Sequence, residues 1–332
     1  MSSYAQWITE FTERRLTERR RRKEAEKVKK QEKKTLTGEI LSWVDAIVFA
    51  VIFVLILNQF LFQLFMIPTP SMVDTLLVKD RVYVSKTSYG IEIYPTGPKI
   101  FSSAPLRDDV IVFYNPQYES KGPVFDILSQ MLYMATFSLV NIDVDENGNP
   151  RERLYVKRAA ALNQDIVTFS NGTASIRGLG QSESVEDPEF RKINNLSTNP
   201  KQTIDQSLYS GFDAYGQLLA YQEKGLSKQS PNYLLSRYQT VSSYNGLVDY
   251  YDVNRAKEKT SSEIDPSDIS ARSAYAHYEN GIYVPAGYTL PLGDNRDNSQ
   301  DGRYFGPVSN SDIIGKVRFI FWPFNRASVI NR

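Results

Sequence analysis

The sequence predicts a mainly β protein: an antiparallel β domain with an inserted second lobe, preceded by one N-terminal transmembrane α-helix. Three observations carry that prediction. The run from Trp43 to Met66 holds about two dozen mostly apolar residues, enough to cross a hydrocarbon core of roughly 30 Å at about 1.5 Å per residue. Beyond it, short runs rich in Val, Ile, Tyr and Phe alternate with turn residues, which is the pattern of antiparallel strands. That pattern is broken by a stretch rich in Ser, Asn, Gln and Tyr, too aromatic for a disordered linker.

In chain order, residues 1–40 form a basic arm with 12 Lys/Arg against 7 Asp/Glu, leaving 27 against 31 in the rest of the 39 and 38. The arm reads as a solvated helix or a disordered segment. Residues 41–66 are expected to be a signal anchor: the apolar run exceeds that of a cleaved signal, and no small-x-small site follows it. Asn58, Gln59 and Gln63 thin its far side, in the membrane interface or against the folded domain. Positive charge on the N-terminal flank places that flank in the cytoplasm and everything from about residue 67 outside.

Strands are expected at Arg81 to Ser85, Val110 to Tyr114, Arg153 to Ala161, Ile166 to Phe169 and Lys316 to Trp322. They belong to one β domain made of residues 67–179 and 282–332, with 180–281 as the inserted variable lobe. Val124 to Val140 is apolar but carries Asp126, Ser129 and Gln130, which makes it marginal for a second span; it reads as a helix or hairpin lying on the core or the lipid surface.

Composition excludes several chemistries. Without Cys there is no disulfide, thiol nucleophile or Cys-ligated metal, and His277 is the single histidine, so a two-His metal site is ruled out. A net charge of +1 argues against a nucleic-acid-coated surface. No GxGxxG or P-loop occurs, and no metal or other cofactor is expected. His277 has no Gly-x-Ser-x-Gly partner. A hydrolase lacking a usable His or Cys must activate its nucleophile otherwise, and a serine deprotonated by a neutral lysine is one known solution. Ser-x-x-Lys is absent, so the pair must come from separate segments.

Ser71 lies in Ile67-Pro68-Thr69-Pro70-Ser71-Met72, directly after the membrane run, where two prolines stiffen the backbone around the hydroxyl. The same prolines also simply end a helix. Lys157 interrupts the strand-like run Leu154 to Leu162, in which alternation puts Tyr155, Lys157, Ala159 and Ala161 on one face and Arg158 on the other. One of the two adjacent cations is therefore expected inward. An inward Lys157 is desolvated and loses its charge toward neutral pH; an edge-strand lysine keeps its head in water. The loop from Leu292 to Gly306 alternates carboxylates, guanidinia and amides and can satisfy itself by Arg–Asp forks. Asp294, Asp297 and Asp301 also offer oxygen ligands for calcium, opposed by the charges of Arg296 and Arg303.

Together these segments resemble the type I (leader) signal peptidases, membrane-bound serine endopeptidases that remove signal peptides from exported proteins. The blocks come in the family's order: Ile67 to Met72 with Thr75-Leu76; Lys86 with Tyr89-Gly90; Asp109 to Phe113; Tyr155-Val156-Lys157-Arg158 with Ala161-Leu162 and Asp165; and Gly293-Asp294-Asn295-Arg296 with Ser299, Asp301 and Arg303. Gly306-Pro307-Val308, Ile314-Gly315-Lys316 and Trp322-Pro323 continue it. Pro70 stands where the family has a small residue. Lys79-Asp80 and Asp108-Asp109 replace Gly-Asp pairs, and Asn163-Gln164-Asp165 replaces Pro-Gly-Asp, all at turns.

The resemblance implies that the β domain is catalytic, that Ser71 attacks the scissile carbonyl and that Lys157 takes its proton. It further implies that Ser299 orients the lysine and that the Ser71 amide and Thr69 hydroxyl form an oxyanion hole. Tyr155, Arg158, Asp294, Arg296, Asp301 and Arg303 would support that geometry. Signal-peptide-bearing preproteins, membrane lipid and the protein-export machinery are the implied partners, with no nucleic acid. The implied location is the inner (cytoplasmic) membrane, single-pass, with the N-terminus cytoplasmic and the catalytic domain extracytoplasmic. The alternative is a membrane-tethered binding or scaffold protein with a non-catalytic β domain.

Overall fold

The structure, a computed structural model, describes residues 3–32, 36–93, 97–136, 139–196 and 200–330. Lys33 and Lys34 of the basic arm, 137–138 of the second apolar run and 197–199 of the lobe lie outside them. The chain forms two compact units, Met1–Leu55 and Ile56–Arg332. In the first, α1 (Ser3–Glu32) is a helix charged around most of its circumference. It is followed by α2 (Leu36–Phe60), whose residues Glu39–Phe60 are long and apolar enough to cross a membrane.

Helix α2 ends at Phe60, not at Met66 as the span 41–66 anticipated. Phe62–Met66 is strand β1, paired antiparallel with β2 (Arg81–Ser85) from Phe62↔Ser85 to Met66↔Arg81. Hydropathy could not separate the two, because a lipid-facing helix and a half-buried strand are both apolar. The polar residues mark the change: Asn58 and Gln63 are buried, and Gln59 Nε2 donates to the Glu92 carbonyl. They face folded protein.

The strands of the second unit continue with β3 (Ile91–Glu92), β4 (Lys99–Ile100) and β5 (Val110–Tyr114). Helix α3 (Pro123–Ala135) comes next, a helix being one of the two forms expected there. After it run β6 (Leu154–Leu162), β7 (Ile166–Ser170), β8 (Thr173–Arg177) and β9 (Val185–Glu186). Helices α4 (Asp187–Ile193), α5 (Tyr209–Glu223), α6 (Asn232–Ser242), α7 (Tyr250–Ile264) and α8 (Ile269–Asn280) fill the lobe. The chain then returns through β10 (Ile282–Tyr283), β11 (Tyr288–Leu292), the short α9 (Gly302–Phe305), β12 (Val308–Ser309), β13 (Ile313–Trp322) and β14 (Ser328–Val329).

The main sheet has the order β1-β2-β13-β5-β6-β11-β12, with β14 beside β13, and its mapped pairs are antiparallel. Strands β1 and β6 stand four places apart in that order yet line one cavity, so the sheet curls. Its concave side is filled by Phe65, Ile67, Met72, Leu76, Val82, Val84, Val110, Val112, Val317 and Ile320. Strand β13 carries register shifts at three points, which let one strand pair first with β5 and then with β2. The second sheet, β10-β7-β8-β9, packs Phe169 edge-on against Tyr251 of the lobe. In the lobe α5 packs on α6 and α7 around Phe212, Tyr209, Val253 and Ile204. Several of its tyrosines pack within the helical layer, as in the Tyr215–Tyr238 stack, while Tyr233 and Tyr250 are exposed.

Candidate active site

Ser71 sits in a single 3-10 turn, Pro70–Met72, preceded by Thr69 in an extended conformation. Two constraints hold the turn. Met72 and Leu76 are fully buried beneath it, and Asn295 holds it from above: its N–H donates to the Ser71 carbonyl at 3.0 Å and its Nδ2 to the Pro70 carbonyl at 3.2 Å. Ser71 itself is buried, and the Thr69 Oγ1 lies 3.4 Å from its Oγ.

Lys157 reaches the same point from β6. Its Nζ lies 2.7 Å from Ser71 Oγ, and only 3% of the residue is exposed. Strand β6 pairs with β5 along Leu154 to Arg158 and with β11 from Arg158 onward, and the Lys157 side chain is buried at the point where the second pairing begins. The expectation that one of the two cations turns inward is corrected here: both do, because both faces of β6 are covered from 157 to 161. Burial pushes the Lys157 amine down to about 8, against the upward pull of Asp301, Glu152 and Asp294 and with a downward push from Arg303. The Tyr155 ring centroid lies 5.1 Å from Nζ and supplies part of the dry wall.

Arg158, on the opposite face, braces the loop that follows β11. It grips Asp294 with both arms, Nε to Oδ1 at 2.7 Å and Nη2 to Oδ2 at 2.6 Å, and donates to the Asp108 carbonyl at 2.9 Å. Thr75 Oγ1 completes the Asp294 shell at 2.6 Å. Burial opposes ionisation of Asp294, but Arg158 and the Thr75 hydroxyl outweigh it and hold the carboxyl below its usual range. Asp301, wholly buried, accepts from the Gly293 N–H and from Arg303, which offsets the burial penalty and again lowers its pKa. Arg303 Nη2 donates to the Arg296 carbonyl, and Arg296 Nε to the Gly293 carbonyl at 2.9 Å. The expectation that the loop satisfies itself by Arg–Asp forks is corrected: Arg303 and Asp301 pair within it, but Asp294, Asp297 and Arg296 take partners from other segments. Asp294, Asp297 and Asp301 turn to three different places: Arg158, the Thr203 and Ile204 amides, and Arg303.

Ser299 lies in this loop without touching the lysine. Its buried Oγ has no hydrogen-bond partner among the described residues. A methyl group on Gly293 would fall 2.2 Å from that oxygen and 2.7 Å from the Ser71 carbonyl oxygen, so the three groups crowd one point.

Sequence reasoning missed Asp108, Asp187 and Arg191 as parts of this framework. Asp187 Oδ2 accepts from Arg296 at 2.7 Å, and Arg191 pairs with Asp108 on the far side of Arg158. Both lobe residues come from α4, four apart and thus on one helix face, with no local signal of the loops they meet.

A family model described as signal peptidase, peptidase S26, matches residues 40–322. The signal peptidase I of Buchnera aphidicola subsp. Acyrthosiphon pisum is 26% identical over 313 residues, covering 91% of this chain and 80% of that protein. The signal peptidase I of Buchnera aphidicola subsp. Baizongia pistaciae is 26% identical over 271 residues, 81% of this chain and 73% of the relative. That of Aquifex aeolicus is 26% identical over 276 residues, 81% and 79% respectively. The matched span takes in the apolar helix, the Ser71 turn, the Lys157 strand and the 293–303 loop, and the chain belongs to the signal peptidase family, peptidase S26.

Proposed function

We propose that Ser71 and Lys157 are the nucleophile and general base of the signal-peptide cleavage that defines this family. The chain is a type I signal peptidase, with signal-peptide-bearing preproteins as its substrates. That leaves no ground for a tethered scaffold. One observation carries the assignment of residues: a buried amine held down to about 8 stands 2.7 Å from a buried hydroxyl.

The neutral Lys157 amine accepts the Ser71 Oγ–H proton as Oγ attacks the scissile carbonyl. The oxyanion takes hydrogen bonds from the Ser71 N–H and the Thr69 hydroxyl. As the C–N bond breaks, the Lys157 ammonium returns the proton to the leaving amine. A water deprotonated by Lys157 then hydrolyses the Ser71 ester. In this scheme Tyr155 walls the amine off, and Arg158, Asp294, Arg296, Asp301 and Arg303 keep the loop in register.

The peptide enters as an added strand. The outer edge of β1 is unpaired, and β6 meets β11 only from Arg158 onward, so two free edges face one cavity. The basic N-terminal flank supports a single-pass topology in the inner (cytoplasmic) membrane, N-terminus cytoplasmic and catalytic domain outside. Val124, Ile127, Leu128 and Met131 are exposed on one stripe of α3, and this stripe suits a lipid surface beside the emerging substrate. The export machinery delivers the preprotein.

The test is cleavage of a purified preprotein by the full chain in detergent. Ser71→Ala and Lys157→Met are each expected to lower kcat by at least about 10³-fold. Turnover at the wild-type rate by either variant contradicts the dyad.

A further inference from the structure

The cavity beside the nucleophile has a wall that the catalytic scheme does not use. It encloses about 560 Å³ and runs from Thr69 back along β1 to Gln63, with Leu154 and Val156 of β6 opposite. Gln63 and Thr69 are six residues apart, on the order of 20 Å for an extended chain. That is far longer than the segment flanking a scissile bond.

Helix α3 closes this cavity with Ser129, Gln130 and Tyr133. Its polarity is inverted relative to a helix on a soluble core: Asp126, Ser129 and Gln130 are buried while Val124, Ile127 and Leu128 are exposed. Asp126 is committed to Tyr118 and Ser120, and Ser129 Oγ donates to the Asp126 carbonyl. The side-chain oxygen of Gln130 is not committed. The residue is 7% exposed and its Oε1 has no partner; across the cavity Gln63 is 1% exposed with its Oε1 equally unpaired. A buried amide oxygen without a partner carries a desolvation cost that a ligand donor removes. Each carboxamide offers an acceptor and two donors side by side, the complement of one peptide group.

We propose that α3 extends the peptide cleft upstream of the catalytic serine, and that Gln63 and Gln130 bind the main chain of the signal peptide about four to six residues before the cleaved bond. This rests on the cleft assigned under the proposed function. Because the contacts are to the main chain, the subsite grips extended peptides of many sequences, and the apolar floor from Phe65, Leu154 and Val156 favours apolar side chains between the two amides.

The experiment compares two synthetic peptides sharing one cleavage site, the first starting three residues before the cut and the second seven. The full chain in detergent is expected to cleave the longer peptide with about tenfold higher kcat/KM, chiefly through KM. In Gln130→Met and Gln63→Met, which keep side-chain length but cannot make these hydrogen bonds, that ratio falls to about two, with an unchanged or higher Tm. A ratio equal to wild type in both variants overturns the subsite, as does a fall in Tm with the ratio preserved. Cleavage of neither peptide by the wild type overturns instead the reading on which the subsite rests.

Discussion

Gly293 has no space for a methyl group, and this one restriction ties Ser71 to the loop beside it. A Cβ there would overlap the Ser299 Oγ and press on the Ser71 carbonyl oxygen, neither of which can retreat from a packed turn. Gly293→Ala is therefore expected to lower kcat by about 10²-fold with a smaller effect on KM, read by steady-state cleavage; a variant with wild-type kcat contradicts this coupling. At Lys157 the balance of effects is decided by who holds the neighbouring carboxylates. Asp301 and Asp294 attract the ammonium, but each is already neutralised by its own guanidinium, Arg303 and Arg158, and desolvation prevails.

Among the elements, three turns share one construction. Leu77 to Asp80, Leu106 to Asp109 and Leu162 to Asp165 each close with a backbone bond from the fourth residue to the first, at 2.9–3.1 Å. In each the final aspartate accepts the leucine N–H, and the third residue has positive φ: 74° at Lys79, 70° at Asp108 and 66° at Gln164. These are the places where the family's glycine is replaced, so the turn geometry survives substitution at a steric cost. Lys79 and Gln164 are exposed. Lys79→Gly and Gln164→Gly are each expected to stabilise by roughly 0.5–1 kcal/mol in chemical denaturation. A loss of stability in both argues against strain at these positions. Asp108 is different, because its side chain joins Arg158 to Arg191.

Across the whole molecule, Asp187, Arg191 and Lys201 are wired into the framework around Arg158 and Asp294. Asp187 joins Arg296 to Arg191, and the Lys201 backbone pairs with Asp294 and Arg296 like a short strand. Asp187→Ala leaves two buried guanidinia without their shared carboxylate, and is expected to cost about 3 kcal/mol in denaturant unfolding and to lower kcat; no change in either measurement makes the lobe a bystander. None of this was legible in the sequence, since the partners lie about a hundred residues apart and α4 shows only an ordinary i,i+4 pair. The meeting of Ser71 with Lys157 was legible because each breaks a local pattern: a hydroxyl after two prolines at the end of an apolar run, and a cation inside a strand. The end of α2 was not, because Phe62–Met66 is as apolar as the helix before it and only its pairing with β2 distinguishes them. The helices between residues 187 and 280 were hidden by a composition whose tyrosines, some buried and some exposed, mark no helical period.

The central claim is that catalysis runs on an uncharged Lys157. Its folded-state value of about 8 lies below the ordinary 10.5, so the amine is mostly protonated at pH 6 and mostly free above pH 9. Single-turnover cleavage measured from pH 6 to pH 10 is expected to rise about tenfold per unit at the acid end, bend near pH 8 and level off. A rate independent of pH across that range, or one that falls on the alkaline side of 8, contradicts the account.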